Sequence, residues 1–419
     1  MNDRLRLTAI LTGIITLSGC GSDAPANTSE NSDSTLTVWV YGADYEPLIT
    51  EYEAAHGDVT IDLVRRDKDD HQLSLFTALS AGGGAPDVTA VDWDDLDTYR
   101  SAANQFTDLT DFGANDHASD FLEWAFEAGR SKDGESLIGV PVTISPSVMH
   151  YNRDLFKAAG LPDDPDAVSE HFATWSDLKE AADKILRETG SAFAPNPDLI
   201  YHAKRDQLDS GYFSEESDLQ IQTYPPIESA FMDTAEWIAQ DYFLLHDHDS
   251  ESWQEATANS DFATLIGDRT MTKNLKEDAP ASDSWRMAQI PGGAGNRGGT
   301  WLSVPSQSNH PEEAYALIEW LTAPEQQLRL YEQEGILPAT PSVYEEDTFM
   351  NTTDPFFGNQ AVGNVFAAAA KNMNPHHRGR NYNSVDEEIL IGLDNVFLGA
   401  LPEDEWEEIL QRVNRRVTR

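Results

Sequence analysis

The sequence predicts an α/β protein, and two observations carry that prediction. Strand-like and helix-like segments alternate from residue 36 onward, and glycines punctuate the helices. Residues 36–41 (Leu-Thr-Val-Trp-Val-Tyr) alternate apolar and polar as a half-buried strand does, and Gly42 ends the run. Residues 45–56 read as a helix stopped by Gly57. Residues 59–64 are a second strand, residues 71–80 a second helix closed by Gly82, Gly83 and Gly84, and residues 86–91 a third strand that ends at Asp92 and Trp93. A βαβαβ run implies a parallel sheet with helices on both faces. Ligands of such sheets sit beyond the carboxyl ends of the strands. That rule places Tyr41, Asp44, Asp92 and Trp93 on one rim.

A second α/β region follows. Residues 137–141 and 147–151 are extended, and residues 152–159 are helical before Gly160. Helices are expected over 175–188 and 228–241. The strand-like residues 285–290 lead into a glycine cluster and then into 300–304. Residues 311–321 put Ala314, Leu317, Ile318 and Leu321 on one stripe, residues 325–334 form a helix before Gly335, and the acidic tail over 385–417 reads as helical. There is no internal repeat.

The chain has 419 residues, enough for two or three domains, and 40% of them are apolar. It carries 73 acidic and 28 basic side chains, a formal charge of -45. Phosphate contacts need clustered Lys and Arg, so the balance argues against nucleic acid. An anionic substrate meets a repulsive field, whereas a neutral ligand feels little of it. The acid is spread along the chain, and ten Trp, 13 Tyr and 17 Phe are too many aromatics for a disordered acidic segment. A carboxylate-covered folded surface with only nine Lys fits a protein that works in high salt, where screening weakens self-repulsion.

Arg4 and Arg6 precede an apolar stretch over residues 7–17, too short for a permanent membrane span and right for a secretory leader. Leu17-Ser18-Gly19-Cys20 follows, and Cys20 is the only cysteine, so an internal disulfide is impossible. This tetrapeptide resembles the lipobox of prokaryotic lipoproteins, which implies that residues 1–19 are a signal peptide and that Cys20 becomes the lipid anchor. Residues 20–35, rich in Ser, Asn, Asp, Ala and Pro, read as a flexible tether.

Several motif matches fail on context. Gly293-Ala-Gly295-Asn-Arg-Gly298 spells a dinucleotide fingerprint, but that fingerprint needs a helix directly after it to hold pyrophosphate, and a strand pattern follows. No cofactor is expected. Ser176-Asp-Leu-Lys179 matches a β-lactamase nucleophile motif without its companions, and Ser176 is better read as the first turn of a helix. His246, Asp247, His248 and Asp249 could ligate a metal, yet in an acidic loop solvation is the simpler reading. With 73 carboxylates, pairs suited to glycoside hydrolysis arise by chance. Non-catalytic work is the expectation.

The aromatics are more telling. Sugar rings stack their C–H faces on Trp and Tyr, and their hydroxyls seek planar polar partners such as Asp, Asn and Arg. Trp93, Trp301, Tyr212 and Tyr382 lie at strand ends or in loops beside such residues, whereas Trp124, Trp237 and Trp320 sit at helical apolar spacing and are expected in cores.

Four segments then carry a resemblance. They are Gly82-Gly-Gly-Ala-Pro86-Asp87-Val with Trp93 after it; Gly139-Val-Pro141 with His150-Tyr151-Asn152-Arg-Asp-Leu-Phe156 and Ala159-Gly160-Leu161-Pro162; Ile290-Pro291-Gly-Gly through Gly298-Gly299-Thr-Trp301-Leu-Ser-Val304-Pro305, Pro311-Glu-Glu-Ala314-Tyr and Trp320-Leu-Thr-Ala-Pro324-Glu-Gln326; and Leu337-Pro338-Ala339 with Pro355-Phe356-Phe357-Gly358. In this order they resemble the bacterial extracellular solute-binding proteins of sugar ABC importers, the group that includes maltose- and cello-oligosaccharide-binding proteins, over about residues 36–400.

The resemblance implies a two-lobed periplasmic-binding-protein-like fold, each lobe a mostly parallel sheet flanked by helices, joined by crossing hinge strands near residues 143–146 and 289–291. It gives residues 36–143 plus 291–324 to the N-terminal lobe and 144–290 plus 325–419 to the C-terminal lobe. It implies a monomer outside the cytoplasm that binds a carbohydrate, an oligosaccharide rather than a monosaccharide, and delivers it to ABC permease subunits. Carried over position by position, the ligand set is Tyr41, Asp44, Asp92, Trp93, Asp94, Tyr212, Arg269, Thr300, Trp301, Arg380 and Tyr382. Relatives often have Pro-Trp after the position of Gly267; here Asp268-Arg269 keeps a donor and loses a ring. The alternatives that stay open are the same fold around a polyamine, peptide or metal ion, and a secreted glycoside hydrolase.

Overall fold

The computed structural model describes residues 34–417 apart from 249, 374 and 376. The expected leader, Cys20 anchor and tether lie outside the described residues except at their last positions, as does Asp249.

Among the described residues eight strands form two sheets: β1 (Ser34–Tyr41), β2 (Val59–Arg66), β3 (Val88–Asp92), β4 (Val140–Pro146), β5 (Val148–Asn152), β6 (Thr264–Gly267), β7 (Trp285–Ala288) and β8 (Asn296–Ser303). The first sheet has the order β2-β1-β3-β8-β4 and the second the order β6-β5-β7. Alternation decides the faces of β1: Leu36, Val38 and Val40 are buried, while Trp39 and Tyr41 are half-buried. β3 is buried throughout because helices cover both of its faces.

The sheets are more mixed than the resemblance implies. β1 runs parallel to β2 and β3, but β8 is antiparallel to β3 and β4, and β5 is antiparallel to β6 and β7. The cause is the double crossing. β4 leaves the first sheet and continues through Ser147 into β5, and the chain returns from β7 into β8, so the returning strand must run the opposite way.

Helices α1 (Glu46–Ala55), α2 (Lys68–Ala81), α3 (Trp93–Arg100) and α4 (Glu123–Ala128) belong with the first sheet. Around the second sheet lie α5 (Arg153–Ala158), α6 (Pro165–His171), α7 (Trp175–Thr189), α8 (Asp198–Arg205), α9 (Pro225–Ile238), α10 (Glu251–Asn259) and α11 (Arg269–Asp278). A capping box between Thr174 and Asp177 starts α7, which leaves Ser176 in a first turn as expected. α12 (Pro311–Thr322) and α13 (Pro324–Glu334) return to the first lobe. Arg329 of α13 pairs with Glu51 of α1. Residues 337–339 then join the edge of β4, with the Ile144 N–H donating to the Leu337 carbonyl at 3.1 Å and the Ala339 N–H to the Val142 carbonyl at 3.0 Å. This is a third crossing between the lobes. α14 (Asp347–Asn351) and α15 (Val362–Lys371) pack behind it, and α16 (Tyr382–Phe397) and α17 (Pro402–Val417) cover the second lobe against α9. The acidic tail is therefore two helices, broken where Gly399 turns with φ +105° ahead of Pro402.

Candidate functional site

Parallel pairing brings the carboxyl ends of β1 and β3 to one edge, and the antiparallel β8 begins there, with Asp92 opposite Thr300. The Tyr41 hydroxyl donates to Asp92 Oδ2 at 2.8 Å and lies 3.2 Å from Thr300 Oγ1. Burial and then the Asp92 charge push the Tyr41 hydroxyl well above its usual pKa, so it stays a donor. Lys68 Nζ sits 2.9 Å from Asp92 Oδ1 and 3.4 Å from Asp94 Oδ2. Asp92 also caps α3 by accepting the Asp94 N–H.

Trp93 begins α3 at this edge. Its ring stacks on Trp301 at 5.4 Å and meets Trp124 edge-on at 5.8 Å. Trp93, Asn296, Asp206, Pro375 and Arg378 line a narrow gap between the lobes. Trp93 is 9% exposed and Asn296 is 4% exposed, and among the described residues neither Trp93 Nε1 nor Asn296 Nδ2 has a hydrogen-bond partner. Buried donors without acceptors are unusual enough to need a reason.

The other wall is the end of α8 and the start of α16. Arg205 Nε donates to Asp206 Oδ1 at 2.8 Å, and its guanidinium also pairs with Asp386. His202 Nε2 is 3.0 Å from Asp386 Oδ2, and the Tyr212 hydroxyl donates to Asp386 Oδ1 at 2.5 Å. Burial opposes the charge on Asp386, yet Arg205 and His202 outweigh it and hold this carboxyl well below the usual range. The Tyr382 ring lies under Arg205 at 5.2 Å and Arg378 at 4.7 Å and leans on Tyr212 at 4.7 Å.

The structure thus brings together Tyr41, Asp92, Trp93, Asp94 and Thr300. Asp44 is nearby in sequence, where its side chain accepts the Glu46 N–H and fixes the start of α1. Four other residues of the expected ligand set sit elsewhere. Trp301 is fully buried: alternation along β8 turns it into the first lobe, where its Nε1 donates to the Ala125 carbonyl at 2.8 Å and its ring backs Trp93. Tyr212 is fully buried and its hydroxyl is spent on Asp386 and Tyr201, so it is part of the second lobe's interior. Arg269 starts α11 beside Gly335 and binds the Glu334 carbonyl at the end of α13, away from Trp93 and Asn296. Arg380 is exposed, and Arg378, two residues earlier, takes the buried place. Tyr382 reaches the gap only through Arg378, which covers it.

Sequence reasoning missed Asn296, Arg378 and Asp206. Asn296 stood inside the glycine run dismissed as a false fingerprint, and that run does lead into a strand. Arg378 stood in the same loop as Arg380, with nothing linear to tell them apart. Asp206 ends α8, outside the four segments that carry the resemblance, and carried no signal. His248, in the loop considered for a metal, instead binds Asp198 Oδ2 at 2.8 Å. Among the described residues no group of three or more His, Cys, Asp or Glu could hold a metal ion, and no helix is long and apolar enough to cross a membrane.

Residues 47–356 match the profile of a family described as bacterial extracellular solute-binding protein. An arabinooligosaccharide-binding protein of Halalkalibacterium halodurans is 26% identical over 46% of this chain and 43% of its own length, so the alignment spans less than half of that relative. A lactose-binding protein of Rhizobium radiobacter is 22% identical over 79% of this chain and 81% of its own. A crystal structure titled extracellular solute-binding protein family 1 superposes with a TM-score of 0.87 at 30% identity, covering 91% of this chain and 99% of that one. All three names are those of binding proteins.

Proposed function

The chain belongs to the bacterial extracellular solute-binding protein family, and on that premise we propose that it captures an uncharged oligosaccharide between its two lobes and passes it unchanged to an ABC permease. One observation carries the choice of ligand. Two residues that line the interlobe gap, Trp93 and Asn296, carry buried N–H donors, Nε1 and Nδ2, that lack acceptors among the described residues, while Asp92 and Asp94 supply acceptors beside them. A sugar presents both halves of that pattern: ring and glycosidic oxygens accept, and hydroxyls donate. The relatives named for arabinooligosaccharide and lactose support a carbohydrate. An anion would meet Asp92, Asp94 and Asp206 together.

In this reading Tyr41, Asp92, Trp93, Asp94, Asn296, Thr300 and Arg378 contact the ligand, with Tyr382 behind Arg378. The lobes hinge at the three crossings, and the ligand drives closure by binding the closed form more tightly. The chain is not an enzyme, acts as a monomer, and is held outside the cytoplasm by lipid on Cys20.

The test is a thermal-shift screen against arabinotriose, lactose, maltotriose, spermidine and zinc. A genuine ligand at 100 times its Kd adds about 2.7 kcal/mol of stability. A shift with spermidine or zinc alone rejects the carbohydrate. Release of labelled monosaccharide from any of the sugars rejects the non-enzymatic role. Membrane fractionation of Cys20→Ser checks the anchor, since loss of the lipid should free the protein.

A further inference from the structure

The loop ahead of α16 belongs to the second lobe but is gripped by the first. Gly379 has φ +77°, and a Cβ there would stand 2.6 Å from Phe213, so the loop is seated on the second lobe in a form that only glycine allows. Across the gap, Asp97 of α3 takes three donors from it. His377 Nδ1 lies 3.0 Å from Asp97 Oδ1, and the Arg378 and Gly379 N–H groups donate to Oδ2 at 3.2 and 2.8 Å. Arg100 holds the same carboxylate at 3.1 Å from its own helix. Burial opposes the charge, but His377, the Gly379 N–H and Arg100 prevail and keep Asp97 at about 2. With the backbone pinned in this way, the Arg378 side chain crosses into the gap, pairs with Asp94 and donates to the Asn296 carbonyl at 3.0 Å.

We infer that Asp97 is the positioning residue of this cleft: it clasps the 377–379 loop across the interlobe gap, holds the lobes together, and places the Arg378 guanidinium between Trp93 and Tyr382, where a ligand must displace it or take its donors. The geometry supports this over simple surface pairing. A surface ion pair uses side chains at both ends and contributes little, whereas Asp97 binds two main-chain N–H groups that cannot swing away without moving the loop. A second link crosses nearby, where Lys132 of the first lobe reaches Ser217, and Ser217 Oγ lies 3.4 Å from His377 Nε2.

The inference deepens the proposed capture of a sugar and rests on it, but its test needs no sugar. Small-angle scattering of the ligand-free chain reads lobe separation, and hydrogen exchange reads the Arg378 and Gly379 amides. Asp97→Ala should enlarge the radius of gyration and speed exchange at both amides by about tenfold or more. Asp97→Asn, which keeps an acceptor, should fall between it and the parent. Gly379→Ala, which attacks the clasp from the other lobe, should match Asp97→Ala, and the double variant should be no worse than either, because both break one interaction. An unchanged radius in both single variants, or additive effects in the double, overturns the inference. If Asp97→Ala fails to fold, the Gly379→Ala result decides alone. A chain that binds none of the sugars while showing these scattering changes would sink the carbohydrate reading and spare the clasp.

Discussion

The two walls of the interlobe gap are built on opposite principles. The first-lobe wall, Tyr41, Asp92, Trp93, Asp94, Thr300 and Asn296, stands at strand ends and includes two N–H donors, Trp93 Nε1 and Asn296 Nδ2, without acceptors among the described residues. The second-lobe wall, Arg205, His202, Asp386, Tyr201 and Tyr212, is a buried charge network whose members bond chiefly to each other. Strand ends are natural recognition points because the ladder stops there and side chains are released from cross-strand pairing. A buried network does a different job: it fixes the position of α8 against α16, and with it Asp206 and Tyr382. On the proposed function, one wall is chemistry offered to a ligand, and the other is a rigid mount.

The sharpest way to break that contrast is Asp386→Ala. It leaves the buried Arg205 with Asp206 alone, takes the acceptor from His202, and should cost about 3–5 kcal/mol in urea unfolding. A small loss there would mean the mount is not rigid. Trp301→Ala should cost about 3–5 kcal/mol of stability, as a core cavity does, because the ring is packed in the first lobe behind Trp93. Had Trp301 been a ligand platform, binding would fall and stability would hold.

Acid should act on the second lobe's interior. His150 is fully buried between the Leu265 carbonyl and Thr272 Oγ1, and burial lowers its pKa from 6.5 to about 4. The unfolded chain therefore binds this proton first, so stability is lost as pH falls from about 6.5 to about 4, by at most about 3 kcal/mol. A His150→Gln variant should show a flatter stability curve across that window.

On the first wall, Trp93→Ala should weaken binding of the sugar found by the screen by about 1–3 kcal/mol, read by calorimetric titration. Tyr212→Phe, on the mount, should leave that affinity unchanged. The smallest effect is salt: with a formal charge of -45, melting temperature should rise with added potassium chloride. A protein most stable in dilute buffer would refute the high-salt reading.

By itself the sequence determined the α/β class, the order of most elements and the strand-end position of Tyr41 and Asp92. Period-2 alternation ending in Tyr41 and Asp92 is a local signal, and parallel strands put their ends together whatever surrounds them. It also separated Ser176 and the Gly293–Gly298 run from the chemistry their letters spell, since the next few residues decide that. Only the tertiary structure could decide the rest. Trp93 and Trp301 look alike in sequence, but Trp93 begins α3 at the gap, whereas alternation along β8 turns Trp301 into the first lobe's interior. Arg378 and Arg380 are two residues apart, and the clasp of Asp97 on the intervening backbone buries the first and leaves the second exposed. The second wall joins residues 202–212 to residues 382–386, a closure across nearly half the chain. No pattern along the chain encodes which carboxylate will meet Arg205, because that pairing is fixed by how two helices pack.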